Sequence, residues 1–234
     1  MKRALVTGGS RGIGLAAAQA LCEAGYEVTA TGIEAAEIAS MPKSAGLRAV
    51  VLDVCDQDAI KALLASFDRL DALVNCAGLI RRGGAEFDPA TFAEVLDVNL
   101  TGTMRVCMAA KPLLAASRGA VVNTASMLSF FGGPAVPAYS ASKGGVAQLT
   151  KSLAVAWAVD GIRVNAVAPG WIATELTRPL YEDAERADPI LQRTPMRRWG
   201  APEDVAGPIV FLCSEAACFI TGVILPVDGG YAAA

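Results

Sequence analysis

The 234-residue chain contains no histidine. That absence removes Ser-His-Asp triads, Cys-His dyads and every histidine-based metal site, and no metal is expected. Cysteine occurs at Cys22, Cys55, Cys76, Cys107, Cys213 and Cys218, with no C-x-x-C pair and mostly within apolar runs. These read as small buried hydrophobes of a reducing compartment. Aromatic residues are only 6% of the chain and the net charge is −3. Base-stacking platforms and a basic phosphate-binding face are therefore lacking, and no nucleic-acid partner is expected. Long apolar runs are missing too. After Met1-Lys2-Arg3 the run Ala4-Leu5-Val6 stops at Thr7-Gly8-Gly9, far short of a signal-peptide core. No stretch approaches the roughly 20 apolar residues that cross a bilayer. The expectation is a cytoplasmic protein without a membrane partner.

What remains is apolar: 53% of residues are hydrophobic and 18% charged, enough for a real core and too apolar for a disordered chain. The length fits one large α/β domain as easily as two small ones. With no linker, low-complexity tract or repeat, one domain over 1–234 is expected. Short apolar runs alternate with helical patterns. Ala4-Leu5-Val6, Val28 to Thr31, Arg48 to Leu52, Ala72 to Asn75, Ala120 to Asn123, Arg163 to Val167 and Val223 to Leu225 read as seven strands. Helices are predicted over 12–24, 57–67, 91–115, 138–159 and 202–214. Nearly all strand runs are continuous rather than alternating, as in a parallel sheet buried on both faces. End-to-end strand–helix alternation is the doubly wound α/β pattern. One long irregular stretch is left, Pro169 to Gly200, with four prolines, Trp171, Trp199 and a cluster of arginines. Such a loop reads as a lid over a site, or else as a surface insertion.

Thr7-Gly8-Gly9-Ser10-Arg11-Gly12-Ile13-Gly14 follows the first strand and opens the first helix. Glycines allow a tight turn and close backbone approach to a pyrophosphate, and the helix start offers free N–H groups. The flanking strand and helix make the motif specific. The segment is also a formal G-x-S-x-G, but a hydrolase elbow needs a histidine base that the chain lacks. In dinucleotide folds an acid ending the second strand often holds the adenosine ribose. Here the place is taken by Thr31-Gly32-Ile33-Glu34. Arg11 is available for a phosphate, whereas Glu34 would repel a 2′-phosphate. The cofactor is NAD or NADP, with a slight lean to NAD.

Tyr139 and Lys143 are four apart, so a helix puts them on one face. A free tyrosine, with a pKa near about 10, is a poor base at neutral pH; a neighbouring ammonium favours the phenolate. Moving a hydride to or from a carbonyl carbon requires a matching proton transfer at oxygen, which Tyr139 can perform. Ser126 closes the fifth strand, at the carboxyl end that faces the ligand crevice of a parallel sheet, and could hold the substrate oxygen. On spacing alone, a Y-x-x-x-K pair is commonplace on helix surfaces.

Taken together, these residues resemble the short-chain dehydrogenase/reductase family over essentially the whole chain. T-G-x-x-x-G-x-G matches at Thr7, Gly8, Gly12 and Gly14, and Asn75-Cys76-Ala77-Gly78 matches the N-A-G element with Cys76 in place of a frequent asparagine. Asp53 and Val54 match the adenine neighbourhood, and Pro169-Gly170 with Thr174 the nicotinamide segment. The resemblance implies a Rossmann-like fold, a homotetramer or homodimer, and a catalytic set of Asn99, Ser126, Tyr139 and Lys143. In that set Lys143 lowers the tyrosine pKa and Asn99 positions a relay water. The implied cofactor contacts are Gly8, Ser10, Arg11, Gly12, Ile13, Gly14, Ile33, Asp53, Val54, Asn75, Ala77, Gly78, Tyr139, Lys143, Pro169, Gly170, Ile172 and Thr174. Within the family, Ala77-Gly78-Leu79-Ile80-Arg81-Arg82, Ala125 to Phe130 and Arg193 to Gly200 resemble bacterial sugar-acid dehydrogenases of the 2-deoxy-D-gluconate 3-dehydrogenase and gluconate 5-dehydrogenase kind. Arg81, Arg82 and Arg193 then become carboxylate-binding candidates, or else solvated arginines or subunit contacts. The small-molecule site is completed by Ser126, Leu128, Tyr139 and Trp171. An apolar lining of Met127, Leu128, Phe131 and Trp171 leaves open a reductase of an apolar ketone or acyl thioester. A nucleotide-binding sensor without turnover is the non-enzymatic alternative.

Overall fold

Neighbouring residues of a strand point to opposite faces, so a strand apolar at every position has two faces to bury. In the computed structural model, which describes Met1 to Ala234, the seven apolar runs form one sheet. Its strands are β1 (Lys2–Thr7), β2 (Tyr26–Gly32), β3 (Leu47–Val51), β4 (Ala72–Asn75), β5 (Ala120–Thr124), β6 (Arg163–Pro169) and β7 (Ile224–Val227). All neighbours are parallel, in the order β3-β2-β1-β4-β5-β6-β7. The helices are α1 (Gly12–Glu23), α2 (Ala35–Ala39), α3 (Gln57–Ala65), α4 (Pro89–Leu96), α5 (Thr103–Ser117), α6 (Pro137–Trp157), α7 (Arg178–Tyr181), α8 (Ala184–Arg193) and α9 (Pro202–Cys213).

The two faces explain the continuous runs. Leu5, Leu73, Val121 and Val164 pack with Ile60 and Leu64 of α3, Val106 and Leu114 of α5 and Trp157 of α6. Their strand neighbours Ala4, Val6, Val74 and Val122 pack on the other side with Ala17 and Leu21 of α1 and Val205 and Ile209 of α9. The chain reverses its direction of travel across the sheet between β1 and β4. Thr7 is in register with Asn75, and Asn75 with Asn123. Ligand crevices of such sheets lie above these carboxyl ends.

Two predicted segments differ. The helix expected over 91–115 is α4 and α5 joined by a π-helical stretch, Asp97–Gly102. Widened turns of this kind recur at functional sites, and this one contains Asn99. The stretch Pro169 to Gly200 is not irregular throughout, because it carries α7 and α8. Its prolines read as breakers, yet Pro179 starts α7, where no N–H is needed, and Pro189 is accommodated inside α8. Asp183 caps α8, accepting from the N–H of Glu185. All six cysteines are free thiols, and Cys218 is exposed rather than buried.

Candidate active site

The glycine loop is set against β4. Gly8 has φ +62°, and a Cβ there would stand 2.6 Å from the N of Ala77. A Cβ on Gly14 would meet the Gly8 carbonyl oxygen at 2.1 Å. Arg11 precedes α1 without capping it, so the N–H groups around Gly12 and Ile13 stay open to an anion, as a pyrophosphate requires. Thr174, from the segment after β6, lies across this loop: a Cβ on Gly12 would touch its methyl group at 3.4 Å. Ile172 is buried and bridges to Gly200, while the Gly170 N–H is bonded to Val227 of β7. Thus Pro169 to Thr174 forms one wall above the strand ends.

At the other end of the crevice, Ile33 is exposed and Val54 buried. Asp53 accepts the Cys55 N–H at 2.8 Å. Glu34 stands exposed at the start of α2. The acid facing the glycine loop is instead Glu37, which accepts from Ser10 Oγ at 3.0 Å and pairs with Arg11 at 2.9 Å. The Asn75 side chain is not in the crevice. It is buried beneath it, its amide donating to Asn123 Oδ1 at 2.9 Å, and Asn123 in turn donates to Thr150. This cross-strand ladder of buried amides commits the Asn75 side chain to the sheet, leaving only its backbone at the end of β4 to face a cofactor.

Tyr139 lies in the first turn of α6 with Lys143 one turn later. Ser126 sits just beyond β5, capping the turn Met127–Ser129, where its hydroxyl accepts the Leu128 N–H at 3.2 Å. Ser129, unanticipated from sequence, donates to the Lys143 carbonyl at 2.7 Å and accepts the Ser126 N–H at 3.2 Å, tying the two elements together. The Lys143 ammonium donates to the Thr124 carbonyl at 2.6 Å and stands 5.6 Å from the Tyr139 ring centre. Burial lowers the Lys143 pKa to about 8.

The electrostatics of Tyr139 differ from expectation. Burial pushes the phenol above its ordinary value; the neighbouring Ser126 hydroxyl and Arg82 pull it down, and Glu86 pushes it up. The Lys143 ammonium, held on the Thr124 carbonyl, stays beside the Tyr139 ring. Asn99 is also engaged: its amide donates to Leu79 O at 2.9 Å and Ser142 Oγ at 3.0 Å, and its Oδ1 accepts the Leu79 N–H at 2.8 Å. Its backbone carbonyl takes the Thr103 hydroxyl at 2.7 Å. Asn99 therefore clamps the loop after β4 to α6.

The three candidate arginines part company. Arg81 pairs with Glu94 at 2.6 Å. Arg82 has no acidic partner; it donates to the Leu176 carbonyl at 3.1 Å and faces Tyr139 electrostatically. Arg193 also lacks an acidic partner and lies over the rings of Tyr231 and Phe131, at 4.3 and 5.1 Å. Trp171 meets Trp199 and Tyr231 edge-on at 5.6 and 6.3 Å. Leu128 is half-buried near Gly133. Tyr231, near the C-terminus, gave no sequence signal because only folding brings it to this wall.

The family model described as enoyl-(acyl carrier protein) reductase matches residues 8–232. A 2-dehydro-3-deoxy-D-gluconate 5-dehydrogenase of Bacillus subtilis is 43% identical over 98% of this chain and 94% of its own. A gluconate 5-dehydrogenase of Gluconobacter oxydans is 40% identical over 97% and 93%. The structure of a gluconate 5-dehydrogenase from Burkholderia cenocepacia in complex with NADP and tartrate superposes with a TM-score of 0.92, at 35% identity, covering 100% of this chain and 96% of that one. A glycine loop fit for pyrophosphate, on a doubly wound sheet matched by these dehydrogenases along nearly its whole length, makes the chain an NAD(P)-dependent oxidoreductase of the short-chain dehydrogenase/reductase family.

Proposed function

We propose that the chain interconverts a secondary alcohol and a ketone on a sugar acid or related polyol, with Tyr139 as the proton-transfer group. One observation carries this reading: Tyr139 lies between Ser126 at the end of β5 and Lys143, whose Nζ is 5.6 Å from the ring centre, and Arg82, a cation with no acidic partner, acts on the phenol. In the oxidising direction the substrate hydroxyl gives its proton to the phenolate form of Tyr139, which becomes the phenol, and Ser126 Oγ holds the same oxygen as the ketone forms. A bound oxidised nicotinamide would supply the hydride acceptor for the carbinol carbon, and its positive charge before transfer would favour the phenolate. Lys143, anchored on Thr124, holds the cofactor ribose, and Asn99 keeps the loop after β4 in place. Arg82, with Arg193 on its aromatic shelf, receives the substrate carboxylate bidentately. The segment 169–200 closes over the crevice as a lid on the one domain.

NAD is the cofactor that Glu37 favours, since its carboxylate holds Ser10 and Arg11 and would repel a 2′-phosphate. A homotetramer or homodimer is supported by Val155 on α6 and Val159 in the turn Ala158–Asp160 that follows it, 81% and 90% exposed, and by fully exposed Phe219. The segment containing Phe219 packs on α6 at Ala154. Size-exclusion chromatography with light scattering tests the assembly. No helix is long and apolar enough to cross a membrane; free thiols and a nicotinamide cofactor fit a cytoplasmic enzyme.

The aromatic shelf of Phe131, Trp171 and Tyr231 favours one rival, reduction of an apolar ketone or acyl thioester. A panel of sugar acids, uncharged polyols, apolar ketones and acyl thioesters, followed by nicotinamide absorbance with NAD and NADP, separates the two. Turnover confined to carboxylated polyols is the expected outcome; turnover only on apolar substrates would overturn the reading.

A further inference from the structure

Glu86 is fully buried and has no cationic partner among the salt bridges. Burying a carboxylate is costly unless its oxygens are hydrogen-bonded. Both are: Oε1 accepts the N–H of Arg81 at 2.9 Å and Oε2 the N–H of Tyr139 at 2.8 Å. The loop that delivers Glu86 turns through Gly83 and Gly84, with φ +69° and +80°, into the short turn Ala85–Phe87.

The second bond is unusual in kind. Helices α3, α4 and α8 are capped by an aspartate immediately before them, Asp56, Asp88 and Asp183. The longest helix, α6, is preceded by Val136 and has no local side-chain cap. Its first turn is satisfied from 53 residues away by Glu86. A local cap would satisfy the same N–H more cheaply. A remote one joins two segments, the loop of Arg81 and Arg82 and the turn of Tyr139.

We propose that Glu86 is a positioning residue for catalysis, fixing the Tyr139 backbone against the arginine loop so that proton transfer and carboxylate binding keep one geometry. The proposal rests on the reading of Tyr139 as the proton-transfer group. Around the phenol stand Lys143 from its own helix, Ser126 from the end of β5, and Arg82 and Glu86 from the loop after β4. Only Glu86 among them is an acid, and its charge opposes ionisation of the phenol.

The test compares Glu86→Gln and Glu86→Asp. Glutamine offers one acceptor oxygen where two are needed and removes the charge; aspartate keeps the charge but shortens the reach. Both are expected to lose about tenfold to a hundredfold in kcat, the scale of a small misplacement at the reacting group, with KM changed far less. The rising limb of the pH profile for alcohol oxidation should move to lower pH in Glu86→Gln and stay near its original place in Glu86→Asp. Amide hydrogen exchange at Tyr139 should accelerate in both. A lowered melting temperature with unchanged kcat, limb and Tyr139 exchange would reduce Glu86 to a structural acid and overturn the proposal. Tyr139→Phe keeps the two failures apart. Turnover retained there would refute the role of Tyr139 itself, while Tyr139 exchange in the Glu86 variants would still report whether the clamp exists.

Discussion

The floor of the crevice and its walls are built by different means. The floor comprises Thr124, Ser126 and the first turns of α6, fastened to the end of β5 and the turn after it by partly buried hydrogen bonds at 2.6–3.2 Å. The walls comprise the segment 169–200, the rim at α2 and the outer side chains of the loop after β4, where ion pairs and aromatic edges predominate, although the backbone of that loop is itself clamped by Asn99 and Glu86. A group on the floor is fixed by the sheet, whereas a wall group is fixed by contacts that a few residues can change. The reaction thus resides in the scaffold, and substrate and cofactor choice in the walls.

Removing a floor group should have the largest effect. Tyr139→Phe leaves the ring in place and removes only the transferable proton. It is expected to lose about three orders of magnitude in kcat, within the range for general acid–base catalysis, with little change in KM. Steady-state kinetics on the preferred substrate checks this. A variant retaining most of its turnover would break the claim that the floor carries the reaction.

The next effect belongs to the wall and sets two adjacent residues against each other. Arg82→Met should raise KM for a carboxylated substrate about tenfold to a hundredfold, the worth of a charge-assisted hydrogen bond, and spare an uncharged polyol. Arg81→Met should change KM by less than about twofold, because it removes an exposed pair with Glu94. Equal losses, or a loss shared by the uncharged substrate, would deny Arg82 its role in specificity.

A floor prediction of about 2 kcal/mol concerns stability. Burial lowers Lys143 from 10.5 to about 8 when folded. Between those values the unfolded chain holds more protons than the folded one, so stability rises with pH across the window. The contribution is complete above 10.5 and is lost as pH falls to 8. Lys143→Met lacks this dependence. It should be more stable than the parent at pH 7 by about 2 kcal/mol, after allowance for the lost Thr124 bond, and the advantage should shrink towards pH 10. Denaturant titrations at three pH values measure it. A parent no less stable than Lys143→Met at pH 7 would refute it.

The same division governs what could be read from the chain. Seven strands were legible because both sheet faces demand apolar residues at every position, and Tyr139 and Lys143 because four residues make one helical turn. Ser126 followed from its place at a strand end. Glu86, Glu37, Ser129 and Tyr231 were not legible, since each acts on residues 14 to 53 positions away. Asn75 shows what a matched motif leaves unsaid: its side-chain amide belongs to the buried ladder with Asn123, a partner 48 positions away. Pro179 and Pro189 hid α7 and α8, because a proline ends one helix and begins another with the same letter.

The smallest effect sharpens the wall side of the comparison at the cofactor rim. Glu37 holds Arg11 at 2.9 Å and Ser10 at 3.0 Å, 27 residues away from the latter. Its side chain is largely buried and that of Arg11 largely exposed, at 18% and 67%. A 2′-phosphate brought here meets a carboxylate whose cation is already committed, whereas a 2′-hydroxyl can donate to the same carboxylate. Glu37→Gln removes the repulsion and releases Arg11. The ratio of NADP to NAD affinity should then rise about tenfold, or about 1.4 kcal/mol, through tighter NADP and weaker NAD binding. Calorimetry with each nucleotide reads this without turnover, and added salt should shrink the gain, since Arg11 is exposed. Glu34→Gln is the control: Glu34 contacts neither Ser10 nor Arg11, and its ratio should stay where it was. If Glu34→Gln moved the ratio and Glu37→Gln did not, the rim would be read by Glu34 immediately before α2, and the role argued for Glu37 would fall.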